Sequence, residues 1–231
     1  YLEDISYIGS QYEFCRSTPY GDDDAAGFGA SRADYETQVV AGNTFDYPAR
    51  HGEAIAAAGY SFVSCSAAAV TDGWTDMADY RFVDLVLGKQ RRTAVARGAM
   101  PARYEAFPSA LRRRVADYLD RGGTLFVSGR AAVRGVVRGV ASPFGSLAGR
   151  YEYFHELNDE CYAVESPDAV EPACEGAFTV FRYGENNLSA GVAYRDDVRR
   201  ICTLGFPFEA VRSAEQRREL MRGVLEFFET R

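Results

Sequence analysis

The chain has 231 residues, 47% of them hydrophobic, and a formal net charge of -7 at pH 7. This supplies a core for one large α/β domain or two small ones, and no apolar run of about 18 residues exists to cross a membrane. The acidic balance argues against a general nucleic-acid binder, which needs a concentrated basic surface.

Residues 1–35 are rich in Tyr, Gly, Ser and Asp, and Gly21-Asp22-Asp23-Asp24 is their clearest loop. They read as an N-terminal extension packed on a domain spanning residues 36–231. The opening Tyr1-Leu2-Glu3-Asp4 reads as the start of a processed or excised fragment. The three aspartates lack the alternating ligands and glycine of a calcium loop and read as solvated charge. Gly27-Phe28-Gly29 follows no strand and is set aside as a dinucleotide loop.

A first strand is expected at 37–41. A helix follows from Pro48, a favourable first-turn residue, to a stop at Gly59. Ser61-Phe62-Val63-Ser64-Cys65 reads as a short strand, 67–70 as a helical turn and 80–87 as a third strand ending at Gly88. Residues 90–104 read as a long connection without a strong period. Pro108 then opens an amphipathic helix whose Leu111, Val115, Tyr118 and Leu119 share one face, ended by Arg121-Gly122-Gly123. Thr124-Leu125-Phe126-Val127-Ser128-Gly129 has the continuous apolar character of a strand buried on both faces.

A short helix near 131–137 and an irregular excursion over 139–176 precede strands at 178–183, 189–194 and 200–204. A final helix over 213–228 carries an inward stripe of Leu220, Val224 and Phe227, and Ser213 with Gln216 resembles a capping box. Arg112-Arg113-Arg114 and Arg217-Arg218 read as solvated helix faces. The alternation of strands and helices predicts an α/β fold with a mostly parallel sheet covered on both faces, and the late cluster of strands predicts a mixed edge.

Ligands in such sheets bind beyond the carboxyl ends of the strands. That rule gathers Asn43, Thr44, Asp46, Gly88, Lys89, Gln90, Ser128, Arg130, Phe206 and Glu209 as candidate cleft residues. Ser128 could act as a nucleophile with His51 as base and Asp46 or Glu209 as orienter, which would make a serine-type hydrolase; the plainer reading is a small residue at a strand end, since no G-x-S-x-G surrounds it. His51 otherwise reads as a surface or hydrogen-bonded helix histidine. His155, among Tyr151, Tyr153 and Phe154, belongs to an aromatic group suited to sugar stacking or to core packing. Five cysteines form no C-x-x-C pair, the two histidines form no zinc pattern, and no metal or cofactor is expected. Cys65 and Cys202 read as core residues, while Cys161 and Cys174 bracket a loop-rich segment and could pair, or stay free, if the protein is exported.

The element order, with Val83-Asp84-Leu85-Val86-Leu87-Gly88, residues 124–129 and Gly205-Phe206-Pro207-Phe208-Glu209, resembles the class I glutamine amidotransferase-like fold, a flavodoxin-like relative. The resemblance implies a three-layer α/β/α domain. It also places the oxyanion loop after Gly88, the nucleophile elbow after residues 124–129 and the catalytic His and Glu at 207 and 209. This chain departs at two of those points: Ser128-Gly129-Arg130 stands where the elbow cysteine belongs, and Pro207 stands at the histidine. Only Glu209 has a counterpart, so amidotransferase activity is not expected.

Gly42-Asn43-Thr44-Phe45-Asp46-Tyr47-Pro48 and Gly59-Tyr60-Ser61-Phe62-Val63-Ser64, with the runs above, resemble a narrower group: exported proteins of Bacteroidetes labelled xanthan lyase or xanthan-lyase-related. The resemblance implies an exported, periplasmic or cell-surface location. It also implies a catalytically degenerate, carbohydrate-binding or scaffolding module, with a polysaccharide or other modules of the same protein as partners. A hydrolase acting on glycans or glycan-linked esters is the alternative, and polysaccharide lyase action a weaker one.

Overall fold

The computed structural model describes residues 47–88, 92–97, 100–105, 107–129, 151, 164 and 167–230. The N-terminal extension, the strand expected at 37–41, the helix near 131–137 and, apart from 151 and 164, residues 139–166 of the expected 139–176 excursion lie outside the described residues. Helix α1 (Tyr47–Ala57) is followed by α2 (Ala67–Thr71), a 3₁₀ turn (Met77–Asp79), β1 (Val83–Gly88), the strands β2 (Arg92–Arg97) and β3 (Met100–Glu105), and α3 (Ser109–Asp120). Then come β4 (Thr124–Gly129), β5 (Phe178–Arg182), β6 (Ser189–Arg195), β7 (Arg200–Leu204), a second 3₁₀ turn (Phe208–Ala210) and α4 (Ala214–Glu229).

Five strands form one mixed sheet in the order β1-β4-β7-β6-β5, and β2 pairs antiparallel with β3 as a separate ribbon. Strands β1, β4 and β7 run parallel, whereas β6 and β5 are antiparallel additions. The expected mixed edge is present. Among the described residues, however, the sheet is half antiparallel rather than mostly parallel.

The helices form where apolar spacing and end signals agree. In α3, Leu111, Val115, Tyr118 and Leu119 are all buried. Its exit is fixed by the Tyr118 hydroxyl, which donates to the Thr124 carbonyl and accepts from the Thr124 amide, both at 3.0 Å. The Tyr118 ring lies so close over Gly123 that a Cβ there would sit 2.5 Å from it. Gly122, at φ 88°, takes the left-handed conformation that favours glycine, so helix and strand are joined through a glycine corner.

Helix α4 starts at Ser213, whose Oγ accepts from the Gln216 amide at 3.3 Å. Its buried Leu220, Val224 and Phe227 each contribute roughly 2 kcal/mol of hydrophobic stabilisation. Helix α4 packs along α1 and against β7, while α2 packs on α3.

Three sequence expectations are corrected. Residues 61–65 form no strand; they are exposed coil, and the Phe62 ring lies against Gly52 of α1. The stretch 90–104 is not an open connection, because it carries the β2–β3 hairpin. Arg217 is buried rather than solvated: its Nη1 donates to the carbonyls of Val211 at 2.6 Å and Arg212 at 3.2 Å, tying α4 to the chain that enters it. Arg112, Arg113 and Arg114 are exposed as expected.

Candidate functional site

Parallel register places Asp84, Phe126 and Cys202 side by side on β1, β4 and β7, with Val86, Ser128 and Leu204 one step further along. Because side chains alternate, Asp84 and Ser128 project from the same face. Over that face lie α1 and the segment leaving β7. Phe208 meets Phe126 edge-on with centroids 6.0 Å apart and lies 4.5 Å from the His51 ring.

Gly205 permits that path. Its amide donates to the Ala190 carbonyl at 2.9 Å, its carbonyl accepts from the Asp168 amide at 2.8 Å, and a Cβ would lie 2.0 Å from the Asp168 carbonyl oxygen. Pro207 opens the 3₁₀ turn that buries Glu209.

At the centre sits an imidazole between two carboxylates. His51 Nδ1 donates to Asp84 Oδ2 at 2.7 Å, and Nε2 donates to Glu209 Oε2 at 3.1 Å. His51 is 2% exposed and Glu209 0%; the Asp84 side chain is 17% exposed. Burial by itself pushes the imidazole toward neutrality, but the charges and hydrogen bonds of Asp84 and Glu209 outweigh it and raise the His51 pKa to about 9. The ring is therefore an imidazolium at neutral pH. It holds helix α1, strand β1 and the C-terminal segment together, and with both nitrogens protonated it has no lone pair to accept a proton.

The predicted site residues separate accordingly. His51 and Glu209 are joined, but not to Ser128: the serine is fully buried, and its Oγ has no hydrogen-bond partner within the described structure. The Ser128–His51 dyad is not formed, because Asp84 and Glu209 occupy both ring nitrogens. Gly88 ends β1. Phe206 is buried edge-on against Tyr183, with centroids 6.3 Å apart, so its ring packs in the core instead of facing a cleft. Asn43, Thr44, Asp46, Lys89, Gln90 and Arg130 lie outside the described residues, as does His155, while Tyr151 packs edge-on against Phe181.

Asp84 is the residue that sequence reasoning missed. Its signal was present as one charge inside the apolar run Val83-Asp84-Leu85-Val86-Leu87, since a carboxylate in such a strand needs a partner.

Cys174 carries a free thiol that donates to the Glu175 carbonyl at 3.3 Å, and Cys161 lies outside the described residues. Cys202 is buried as expected, whereas Cys65 is exposed because its segment is coil. Among the described residues no group of three His, Cys, Asp or Glu side chains is placed to hold a metal, and no helix is long and apolar enough to cross a membrane. The chain matches no family model, no curated protein sequence and no solved structure.

Proposed function

We propose that this chain is a catalytically degenerate α/β module built on a three-layer, class I glutamine amidotransferase-like scaffold, which serves an exported polysaccharide-associated protein as a carbohydrate-binding or scaffolding unit. The observation that carries the reading is the enclosure of His51 by Asp84 and Glu209. Glu209, the one residue with a counterpart in the amidotransferase triad, is bound to a helix histidine with no access to solvent. That histidine is an imidazolium with no lone pair to activate a nucleophile. A buried ion cluster of this kind suits a structural clamp better than a general base.

The test is to assay the purified protein for glutamine hydrolysis, for hydrolysis of aryl esters and for release of unsaturated uronate from xanthan. The expected result is no turnover above buffer in any assay. Activity in any of them that disappears in Glu209→Ala or Ser128→Ala, with the fold retained by circular dichroism, would overturn the reading.

A further inference from the structure

Tryptophan is ordinarily among the more deeply buried side chains, yet Trp74, the only one in the chain, is 85% exposed. It does not hang on a loose loop. Its amide donates to the Ala69 carbonyl at 2.9 Å, the Thr75 amide reaches the same carbonyl at 3.2 Å, and the Gly73 amide bonds Val70 at 3.3 Å. Two residues on, Asp76 caps the following 3₁₀ turn by accepting from the Ala78 amide at 3.0 Å. The indole thus stands on a backbone already held in place, which lowers the entropy lost on binding.

Hydrogen-bonding groups of both kinds flank it. Just past the end of α3, Arg121 pairs with Asp76 at 3.3 Å while both side chains remain 54% exposed. Arg114 Nη2 donates to the Thr71 carbonyl at 3.3 Å and lies beside Gly73, and among the described residues its other guanidinium N–H groups have no hydrogen-bond acceptor.

We propose that Trp74, with Asp76, Arg114 and Arg121, forms a carbohydrate-binding surface in which a pyranose ring stacks on the indole. A sugar offers an apolar C–H face for the ring, hydroxyl donors for the Asp76 carboxylate and hydroxyl acceptors for the guanidinium groups. Other partners fit less well. A peptide relies on a pocket or a strand edge, and the open indole offers neither. The exposed Asp72, Asp76 and Asp79 stand close to the arginines along this stretch and would oppose both the phosphates of a nucleic-acid strand and an anionic membrane surface. The site rests on the reading of this chain as a binding module and gives that module a ligand class and a location.

Because Trp74 is the sole tryptophan, its fluorescence reports on this site alone. The free protein should emit at long wavelength and be quenched readily by acrylamide. Cellohexaose, as a neutral chain, and a galacturonate hexamer, as an acidic one, should separately be titrated; saturable protection by either supports the site and identifies the charge it prefers. In calorimetry Trp74→Ala should weaken glycan binding roughly tenfold or more, Trp74→Tyr should recover part of it, and neither should alter the melting temperature. An indole shielded from acrylamide in the free protein would overturn the proposal, as would protection by a nucleic-acid oligomer or an acidic peptide in place of both sugars. Glycan binding that survives Trp74→Ala would overturn this site and leave the module reading standing. No binding to either hexamer or to an immobilised glycan array would remove this site and the carbohydrate-binding form of the module, leaving its scaffolding form to stand.

Discussion

Replacing His51 with alanine takes away the cation between two carboxylates, one of them fully buried. Removing one member of a buried ion cluster costs about 3–5 kcal/mol, because the charges left behind have neither water nor a counterion. In a protein of this size each kcal/mol lowers the melting temperature by about 2–4 °C, so a fall of roughly 6–20 °C is expected.

A pH signature separates this effect from ordinary loss of packing. The folded-state pKa of His51 is about 9, above its ordinary 6.5, so the folded protein holds the proton more tightly than the unfolded chain. The resulting stabilisation is fully present below pH 6.5 and is lost as the pH rises through 9, a total of roughly 3 kcal/mol. Urea denaturation followed by circular dichroism, run on both proteins from below pH 6.5 to above pH 9, measures the difference directly. The gap between native and variant should narrow across that window. Parallel pH profiles, or a gap under about 1 kcal/mol at neutral pH, would refute the reasoning.

Gly205→Ala drives a Cβ to within 2.0 Å of a backbone oxygen that cannot swing aside, and should cost more than about 3 kcal/mol by chemical denaturation. Gly191→Ala, which meets the Phe181 ring at 2.8 Å, serves as the milder comparison because a side chain can shift. Ser128→Ala removes a buried hydroxyl without a hydrogen-bond partner among the described residues, so stability should change by less than about 1 kcal/mol in the same denaturation; a loss above about 2 kcal/mol would show that the hydroxyl has a partner. Alkylation with iodoacetamide followed by peptide mass spectrometry should label Cys65 and Cys174 in the native protein. Cys202, whose thiol pKa is pushed up strongly by burial, should react only after unfolding.

The elements that were legible in the sequence are those whose own residues decide them. Strand β4 declares itself as an unbroken apolar run, and α3 by four buried residues at helical spacing. Residues 61–65 have the composition of a strand, but a strand also needs a neighbour to pair with, and no short window contains that neighbour. The β2–β3 hairpin escaped notice for the opposite reason: Arg92-Thr93-Ala94-Val95-Ala96-Arg97 and Met100-Pro101-Ala102-Arg103-Tyr104-Glu105 carry few large apolar residues, and Pro101 reads as a strand breaker although an edge of a two-stranded ribbon tolerates it. At the site, Glu209 and His51 were each visible as candidates. Glu209 was also visible, with Asp46, as a candidate orienter of the His51 ring, and that contact is formed across 158 positions; the second carboxylate was not foreseen, because only the folded sheet sets Asp84 of β1 against α1. Ser128 was drawn into that group by its place at a strand end, which fixes where a residue lies but not which partner it meets.

The strand made last among the seven described lies in the middle of the five-stranded sheet, and this sets the order in which the molecule can be completed. Until β7 emerges, β4 has no neighbour on one side and the β5–β6 hairpin has nothing to dock on. His51 must likewise wait for Glu209 before its second bond can close. Closing so distant a contact orders a long stretch of chain at once, a step characteristic of slower folding. On the ribosome, helix α1 and strand β4 would therefore wait for β7 and the Glu209 segment, and a chain cut short before Arg200 would present β4 with an open edge where its partner belongs.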